Sequence, residues 1–127
     1  MAKIEGQCRD VCNETEFVTI VTNGRDGPHV VGNWGEYMRT LGIGDDMIVF
    51  PVARYHETEK NLQHDSRVQL LVASKKVPGR LKPGQGFLIE GNAHISTSGE
   101  VVDRVKSRFP WARGAMVVRV TAATALL

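Results

Sequence analysis

Polar side chains follow the apolar run Met47–Val52, and their chemical types suit the binding of a phosphate group. Thr58 offers a hydroxyl and Asn61 an amide, and a helical turn that begins near His56 would add free backbone N–H groups. Hydroxyl and N–H donors, together with a cation, are what a bound phosphate needs. A capped surface turn with Thr58 as the N-cap of a short helix has the same spacing, so the residues alone leave both interpretations open.

A second group of residues could hold a flat, mostly apolar ring system. Pro51 closes the apolar run, and the backbone groups of Val52 and Ala53 after it could pair with the polar edge of such a ring. The small side chain of Ala53 would permit a close approach. Asn33 and Trp34 end another strand-like run and could face the same slot. A tryptophan is by itself more often a packing residue than a ligand contact, and this holds for both tryptophans of the chain.

Other arrangements that carry chemistry are not visible in the sequence. There is no Ser-His-Asp set, no recognisable pair of carboxylates and no phosphate loop of the nucleotide-hydrolase kind. The four histidines are scattered, and each is more typical of a structural residue than of a catalytic one. Cys8 and Cys12 would share one face of a helix over 7–14, and without further ligands at metal-site spacing they are interpreted as ordinary thiols. We predict no catalytic residue and no metal site.

The composition is that of a small globular protein. The 127 residues suit a single domain over 1–127, with an ordinary 42% of hydrophobic and 24% of charged residues. A net charge of +2 is too small to argue for nucleic-acid binding. No run approaches the roughly 20 apolar residues that span a membrane, and residues 1–10 are too polar for a signal peptide. We therefore expect a cytoplasmic protein that binds neither nucleic acid nor membranes.

Strand-like segments alternate with turn formers along the chain and must position these groups. Six segments are rich in β-branched and aromatic residues, and the clearest hairpin joins the first two through the turn formers at 23–28. Residues 75–86 are predicted to form a loop and 122–127 a tail. The predicted strands are 17–22, 29–34, Met47–Val52, 67–74, 87–97 and 115–121, and the predicted helices are 7–14, 56–65 and 100–109.

This order of elements favours a small, mainly β barrel over alternating β–α units, because the helices lie only at the margins. Closing the sheet into a barrel would also remove exposed strand edges. Pro51 cannot donate to a β ladder, so its strand should end there or lie at an edge.

An ordered set of short motifs resembles the flavin-binding split-barrel family, the superfamily of pyridoxamine-phosphate oxidases. Within it, the chain resembles most the small FMN-binding proteins of anaerobic bacteria. No single motif is specific, but together they cover nearly the whole chain in the family's order. The motifs are DGPH at 26–29, NW at 33–34, IVFPV at 48–52, HETE at 56–59 with Asn61, KV at 76–77, GR at 79–80, PG at 83–84, GFLI at 86–89 with Gly91, and WAR at 111–113.

The resemblance implies a homodimeric, six-stranded antiparallel split β-barrel of Greek-key type with short peripheral helices. It also implies one flavin mononucleotide (FMN) per subunit at the subunit interface, with the ring against strand backbone and the phosphate near the turn after Pro51. An aromatic residue and the C-terminal residue of the partner lie near the ring in such proteins, and by position these are Trp111 and Leu127. The implied FMN-binding residues are Asn33, Trp34, Pro51, Val52, Ala53, Arg54, Glu57, Thr58, Asn61, Trp111 and Leu127.

One residue departs from the family's pattern. The family usually has a lysine or arginine beside the residue that matches Thr58, whereas this chain has Glu57. A carboxylate there would repel a phosphate dianion. Either Glu57 points to solvent while Arg54 or Lys60 supplies the charge, or the affinity for FMN is low. We favour Arg54, because it lies on the same turn and a guanidinium binds phosphate in a fork.

The sequence therefore supports three hypotheses. The first is an FMN-binding redox protein, working in electron transfer or as a small flavin oxidoreductase with an unidentified redox partner. The second is a substrate-converting oxidase or reductase of the pyridoxamine-phosphate-oxidase type. The third is a non-enzymatic dimer that has lost FMN, for which Glu57 is the argument.

Overall fold

The computed structural model describes residues 3–127, which form one sheet of six antiparallel strands and four short helices. The sheet has the order β2-β1-β4-β5-β6-β3 and curls into a half-barrel. The strands are β1 (Phe17–Gly24), β2 (Gly27–Trp34), β3 (Met47–Val52), β4 (Arg67–Pro78), β5 (Pro83–Ser96) and β6 (Gly114–Ala125). The helices are α1 (Gly6–Glu14), α2 (Gly35–Leu41), α3 (His56–His64) and α4 (Glu100–Arg108).

The concave face of the sheet carries the main hydrophobic core. Along β1 and β4 buried residues alternate with exposed or half-buried ones, as expected for strands with one face on the core. Ile20, Leu70 and Ile89 lie in this core and are fully buried. A smaller cluster packs α4 against β3 and β6 through Val49 and Val105.

The half-barrel stays split between β2 and β3, the two ends of the strand order. No backbone ladder joins these strands within residues 3–127. The side chain of Asn33 spans the gap instead, donating from Nδ2 to the carbonyl oxygen of Pro51 at 3.2 Å. β3 pairs only with β6, so Pro51 lies on an edge strand as the sequence predicted.

β3 matches its predicted position and the two strands of the first hairpin each extend two residues into the predicted turn, but β4, β5 and β6 run further than expected. The ladder of β4 and β5 continues to the pair Pro78 and Pro83, so the predicted loop over 75–86 shrinks to four residues. Val77 is buried against the core, and this packing holds the chain extended past Lys75 and Lys76. β6 likewise continues to Ala125, where a tail was predicted, because its second half pairs with β5 beyond a bulge at Glu90 and Gly91.

The helix α2 was not predicted from the sequence. It buries Met38 and Leu41, and it starts at Gly35, where an added Cβ would lie 2.0 Å from the carbonyl oxygen of Thr15. Only glycine fits that approach. None of the helices in the described part of the chain has both the length and the apolar character to cross a membrane.

Cys8 and Cys12 lie on one face of α1, as predicted, and both are free thiols buried in the core. A hydrogen bond from the Cys12 thiol lowers the pKa of Cys8, and the same bond together with burial raises the pKa of Cys12. Because both thiols are buried, the pair packs as small core residues. Of the two, Cys8 is the one that loses its proton more easily.

Candidate functional site

The turn between β3 and α3 is anchored to the other end of the sheet by a residue that sequence reasoning missed. Tyr55 is the N-cap of α3 and has left-handed backbone angles, φ 63° and ψ 34°. Its hydroxyl donates to the carbonyl oxygen of Gly32 and accepts from Nδ2 of Asn33 at 3.0 Å. Burial raises the pKa of Tyr55. These bonds fix the turn against β2 while leaving Ala53 and Arg54 exposed.

Several backbone groups of this turn have no partner in the described residues. The N–H and carbonyl of Ala53 form no hydrogen bond, and no carbonyl accepts from the N–H groups of Glu57 and Thr58 in the first turn of α3. The side chain of Arg54 also has no hydrogen bond or ion pair there. The turn thus presents a guanidinium and free N–H donors, which is the donor set of an anion site.

Thr58 has a different place from the one predicted. It is not the N-cap, because Tyr55 takes that position, and it lies inside the first turn of α3 with its side chain fully buried. Its Oγ1 has no hydrogen-bond partner among residues 3–127. An unpartnered buried hydroxyl costs about 1–3 kcal/mol, so this oxygen would gain from a partner that the chain does not supply.

Asn61 and Glu57 lie on a side of α3 different from that of Thr58 and border the β1–β2 turn. Asn61 is buried and donates from Nδ2 to Oγ1 of Thr22 at 3.2 Å, which ties α3 to β1. Glu57 is exposed, and with Lys60 and Asn61 it lines a cavity of about 740 Å³ beneath the β1–β2 turn. Glu57 has no ion-pair partner in the described part of the chain.

Asn33 and Trp34 do not face one slot, contrary to the prediction. Neighbouring residues of a strand point to opposite faces of the sheet. Asn33 pairs with the fully buried Val18 and points inward, whereas Trp34 pairs with Phe17 and points outward. Trp34 is 48% exposed, and its ring meets that of Phe17 edge-on at 5.6 Å between centroids.

Trp111 belongs to an aromatic cluster between α2 and α4. Its ring lies 5.7 Å from that of Tyr37 and 5.6 Å from that of Phe109, and the residue is 51% exposed. It therefore packs against other aromatic rings at the surface and does not lie in the core beneath α4. Sequence reasoning missed Tyr37 and Phe109. Their closeness in sequence to a tryptophan, Trp34 and Trp111 respectively, was the feature that could have indicated an aromatic cluster.

The segment of Trp111 is joined to the β3–α3 turn by Arg113. Its backbone N–H donates to the carbonyl oxygen of Val52 at 2.8 Å, and its Nε donates to the carbonyl oxygen of Arg54 at 3.0 Å. Its Nη2 forms an ion pair with Oε1 of Glu59 at 2.8 Å. The structure thus brings together Pro51, Val52, Ala53, Arg54, Thr58 and the Trp111 segment.

Leu127 lies away from this turn, at the opposite end of β6. Buried Gln85 holds its backbone, donating from Nε2 to the Leu127 carbonyl oxygen at 2.7 Å and accepting from its N–H at 2.9 Å. The side chain of Leu127 is 67% exposed and borders a cavity of about 410 Å³ with Gln7 and Arg80. Within one chain, Leu127 is not part of the site.

Comparison with known families gives a match over almost the whole chain. A family model described as pyridoxamine 5'-phosphate oxidase matches residues 4–126. An FMN-binding protein of Nitratidesulfovibrio vulgaris (strain Miyazaki F) is 41% identical over 120 residues, which are 94% of this chain and 96% of that protein.

Solved structures with the same fold are more distant in sequence. HupZ of Group A Streptococcus has a TM-score of 0.74 at 17% identity, over 92% of this chain and 89% of that one. An FMN-binding protein of Syntrophomonas wolfei has a TM-score of 0.67 at 18% identity, over 95% and 84%. At these identities the likeness concerns the fold.

Proposed function

Because this chain belongs to the pyridoxamine 5'-phosphate oxidase family, we propose that it binds FMN at the β3–α3 turn and serves as a redox protein. The observation that carries the proposal is the set of unpartnered donors at this turn, in a chain 41% identical to an FMN-binding protein. The FMN phosphate is the ligand whose chemistry fits these donors.

The phosphate would be held by three kinds of group. The side chain of Arg54 would pair with the charge, the N–H groups at the start of α3 would donate, and Oγ1 of Thr58 would gain its missing partner. Thr58 is fully buried in the chain, whereas Arg54 and Glu57 are exposed, so the Arg54 side chain and the N–H of Glu57 would meet the phosphate first. Glu57 lies toward the cavity beneath the β1–β2 turn, which supports Arg54 as the cation.

The ring would lie against the end of β3. The carbonyl of Val52 is already used by Arg113, so the free backbone groups of Ala53 are the ones left to pair with the polar edge of the ring. The exposed Trp111 would supply apolar contact area, while Pro51 is buried and would hold the end of β3 in place behind the ring. Asn33 would act indirectly, by holding the carbonyl of Pro51 and the hydroxyl of Tyr55.

Bound flavin supplies electron or hydride transfer, while the residues of the chain bind and orient it. None of the residues gathered at the turn forms an acid–base or nucleophile pair, so we favour electron transfer or small flavin oxidoreductase activity. The family description keeps a substrate-converting oxidase as the second candidate. Turnover of pyridoxamine 5'-phosphate with oxygen consumption would select that candidate.

We also propose that the protein is a homodimer. The outward face of β1, β2 and β4 exposes four large apolar side chains, and such a patch is typical of a protein interface. A partner on this face would supply what one chain lacks, including Leu127 beside the ring. The four residues are Phe17, Val30, Trp34 and Leu71.

The test is to purify the protein, record its visible absorption spectrum, identify any released chromophore and measure the mass in solution. We expect flavin bands, FMN as the released species at about one per chain, and the mass of a dimer. A protein that is colourless and does not bind added FMN would overturn the proposal. In that case Glu57 would mark a disabled phosphate site and favour the non-enzymatic dimer.

A further inference from the structure

We propose that Arg113 is a positioning residue for phosphate recognition, acting through the β3–α3 turn rather than through the ring. The inference rests on the proposed function, because it assigns the phosphate to that turn. It goes beyond it in naming a residue outside the turn that makes the turn competent to bind an anion. Three observations carry it: the hydrogen bonds of Arg113, the charges around α3 and the hydrogen-bond donors of the turn that these bonds leave unpaired.

The hydrogen bonds of Arg113 reach both ends of the turn. Its backbone N–H and its Nε hold the carbonyl oxygens of Val52 and Arg54, at 2.8 and 3.0 Å, and Nη2 also donates to the Arg54 oxygen. Nη2 further bonds Oε1 of Glu59 at 2.8 Å, one helical turn into α3. The guanidinium therefore fixes the exit of β3 and the first turn of α3 relative to each other.

These hydrogen bonds leave the anion-binding donors of the β3–α3 turn unpaired. Arg113 occupies the carbonyl of Arg54, which lies four residues before Thr58, and the N–H groups of Glu57 and Thr58 have no acceptor in the described residues. The Arg54 side chain is unpaired there as well. Donors that are already held in place lose less conformational entropy when a ligand binds. Without Arg113, the exposed segment at 53–54 would be held mainly by Tyr55.

Charge gives Arg113 its second role. Residues 54–60 carry two cations, Arg54 and Lys60, and two carboxylates, Glu57 and Glu59, which cancel. Arg113 pairs with Glu59 where both side chains are only 25% exposed, so that carboxylate is screened by a partner rather than by water alone. The region is then net positive, and the phosphate meets one unpaired carboxylate instead of two.

The experiment compares two ligands that differ only in the phosphate. FMN and riboflavin are titrated into the apoprotein, and the two Kd values are read from quenching of flavin fluorescence. For Arg113→Gln we expect the Kd of FMN to rise about 10- to 100-fold, as when the phosphate loses one charge-assisted hydrogen bond to the turn. The Kd of riboflavin, which has no phosphate, should change less than about twofold. Arg104→Gln on α4 is the matched control, since Arg104 binds a backbone carbonyl, that of Leu41, at 3.2 Å.

A second variant isolates the electrostatic part. In the double variant Arg113→Gln with Glu59→Gln, the carboxylate that Arg113 paired with is also gone, so part of the FMN affinity should return. Arg113→Lys, which keeps the charge but not the fork, should fall between the wild type and Arg113→Gln. Melting curves of all variants establish that they are folded.

Two results would overturn the inference. One is an equal rise of both Kd values, which would place the effect of Arg113 on the ring or on the fold. The other is no change in either value. Failure of the wild type to bind either flavin is a separate result, because it contradicts the proposed function before Arg113 is tested.

Discussion

Asn33 and Pro51 lie on the two strands at opposite ends of the sheet order, and Nδ2 of Asn33 reaches the carbonyl oxygen of Pro51 at 3.2 Å. The same amide bonds the hydroxyl of Tyr55 at 3.0 Å. One side chain thus bridges the split in the half-barrel and holds the turn that we assign to the phosphate. The bridge links stability and site geometry.

Replacing Asn33 by Ala should lower the free energy of unfolding by about 1–3 kcal/mol, because the carbonyl of Pro51 and the hydroxyl of Tyr55 each lose a partner. Urea unfolding measures the change. Gln63→Ala, at an exposed position of α3, is the control and should change the value by less than about 0.5 kcal/mol. Equal effects of the two substitutions would show that the bridge contributes nothing.

Thr58 and Thr22 offer a matched pair of buried hydroxyls. Without ligand, Thr58→Val should leave the stability unchanged or raise it by up to about 1 kcal/mol, since its Oγ1 has no partner in the described residues. Thr22→Val should cost about 1–2 kcal/mol, because Asn61 then loses its acceptor. Thermal melts with and without FMN provide the comparison, and Thr58→Val should also reduce the stabilisation that FMN gives. A large loss of stability in ligand-free Thr58→Val would contradict the assignment.

The strands that the sequence predicted well are those whose pattern is local. Met47–Val52 was placed correctly because its apolar run and Pro51 are contiguous, and the first hairpin because its turn formers lie between two β-branched runs. The α3 helix was located to within one residue. The curled sheet was predicted from the family resemblance, because no local sequence pattern specifies how a sheet curls.

The parts that were missed depend on long-range contacts. The extension of β4 and β5 rests on burial of Val77, and α2 on the fit of Gly35 against Thr15. Placing Asn33 and Trp34 on one slot overlooked the alternation of strand faces. Tyr55 was missed because a non-glycine residue in the left-handed region has little local signal; its hydrogen bonds to distant β2 stabilise that conformation.

The hydroxyl of Tyr55 gives a pH dependence of known sign. Burial raises its folded-state pKa above the ordinary value near 10, so the native state binds this proton more tightly than the unfolded state. The stabilisation is fully present below about pH 10 and is lost as the pH rises through the folded-state pKa. Tyr55→Phe should therefore be less stable than the wild type at neutral pH, by about 1 kcal/mol, with the gap narrowing above pH 10.

Urea unfolding of both proteins at pH 8 and at several values above 10 tests this, since other alkaline titrations cancel in the difference. Tyr37→Phe controls for the loss of a tyrosine from the aromatic cluster. A gap that stays constant or widens at alkaline pH would contradict the raised pKa.

The Gln85 side chain holds Leu127 as a neighbouring strand would, with one hydrogen bond in each direction. Its amide is fully used, since Oε1 also accepts from the N–H of Gly86 and Nε2 donates to Gln7. Gln85→Leu removes the acceptor, so the N–H of Leu127 should exchange with solvent near the rate of an unprotected amide. The N–H of Leu126, bound to the carbonyl of Gly86 at 2.9 Å, is the internal control and should keep most of its protection.

Hydrogen exchange followed by NMR on the isotope-labelled protein measures both amides in one sample. If Leu127 closes the flavin site of a partner subunit, the same variant and Leu127→Ala should both release FMN faster than the wild type, by about the same factor. The double variant should add nothing, because each change removes the same contact. Faster release in Leu127→Ala together with wild-type release in Gln85→Leu would mean that the exposed leucine acts without needing its backbone to be held.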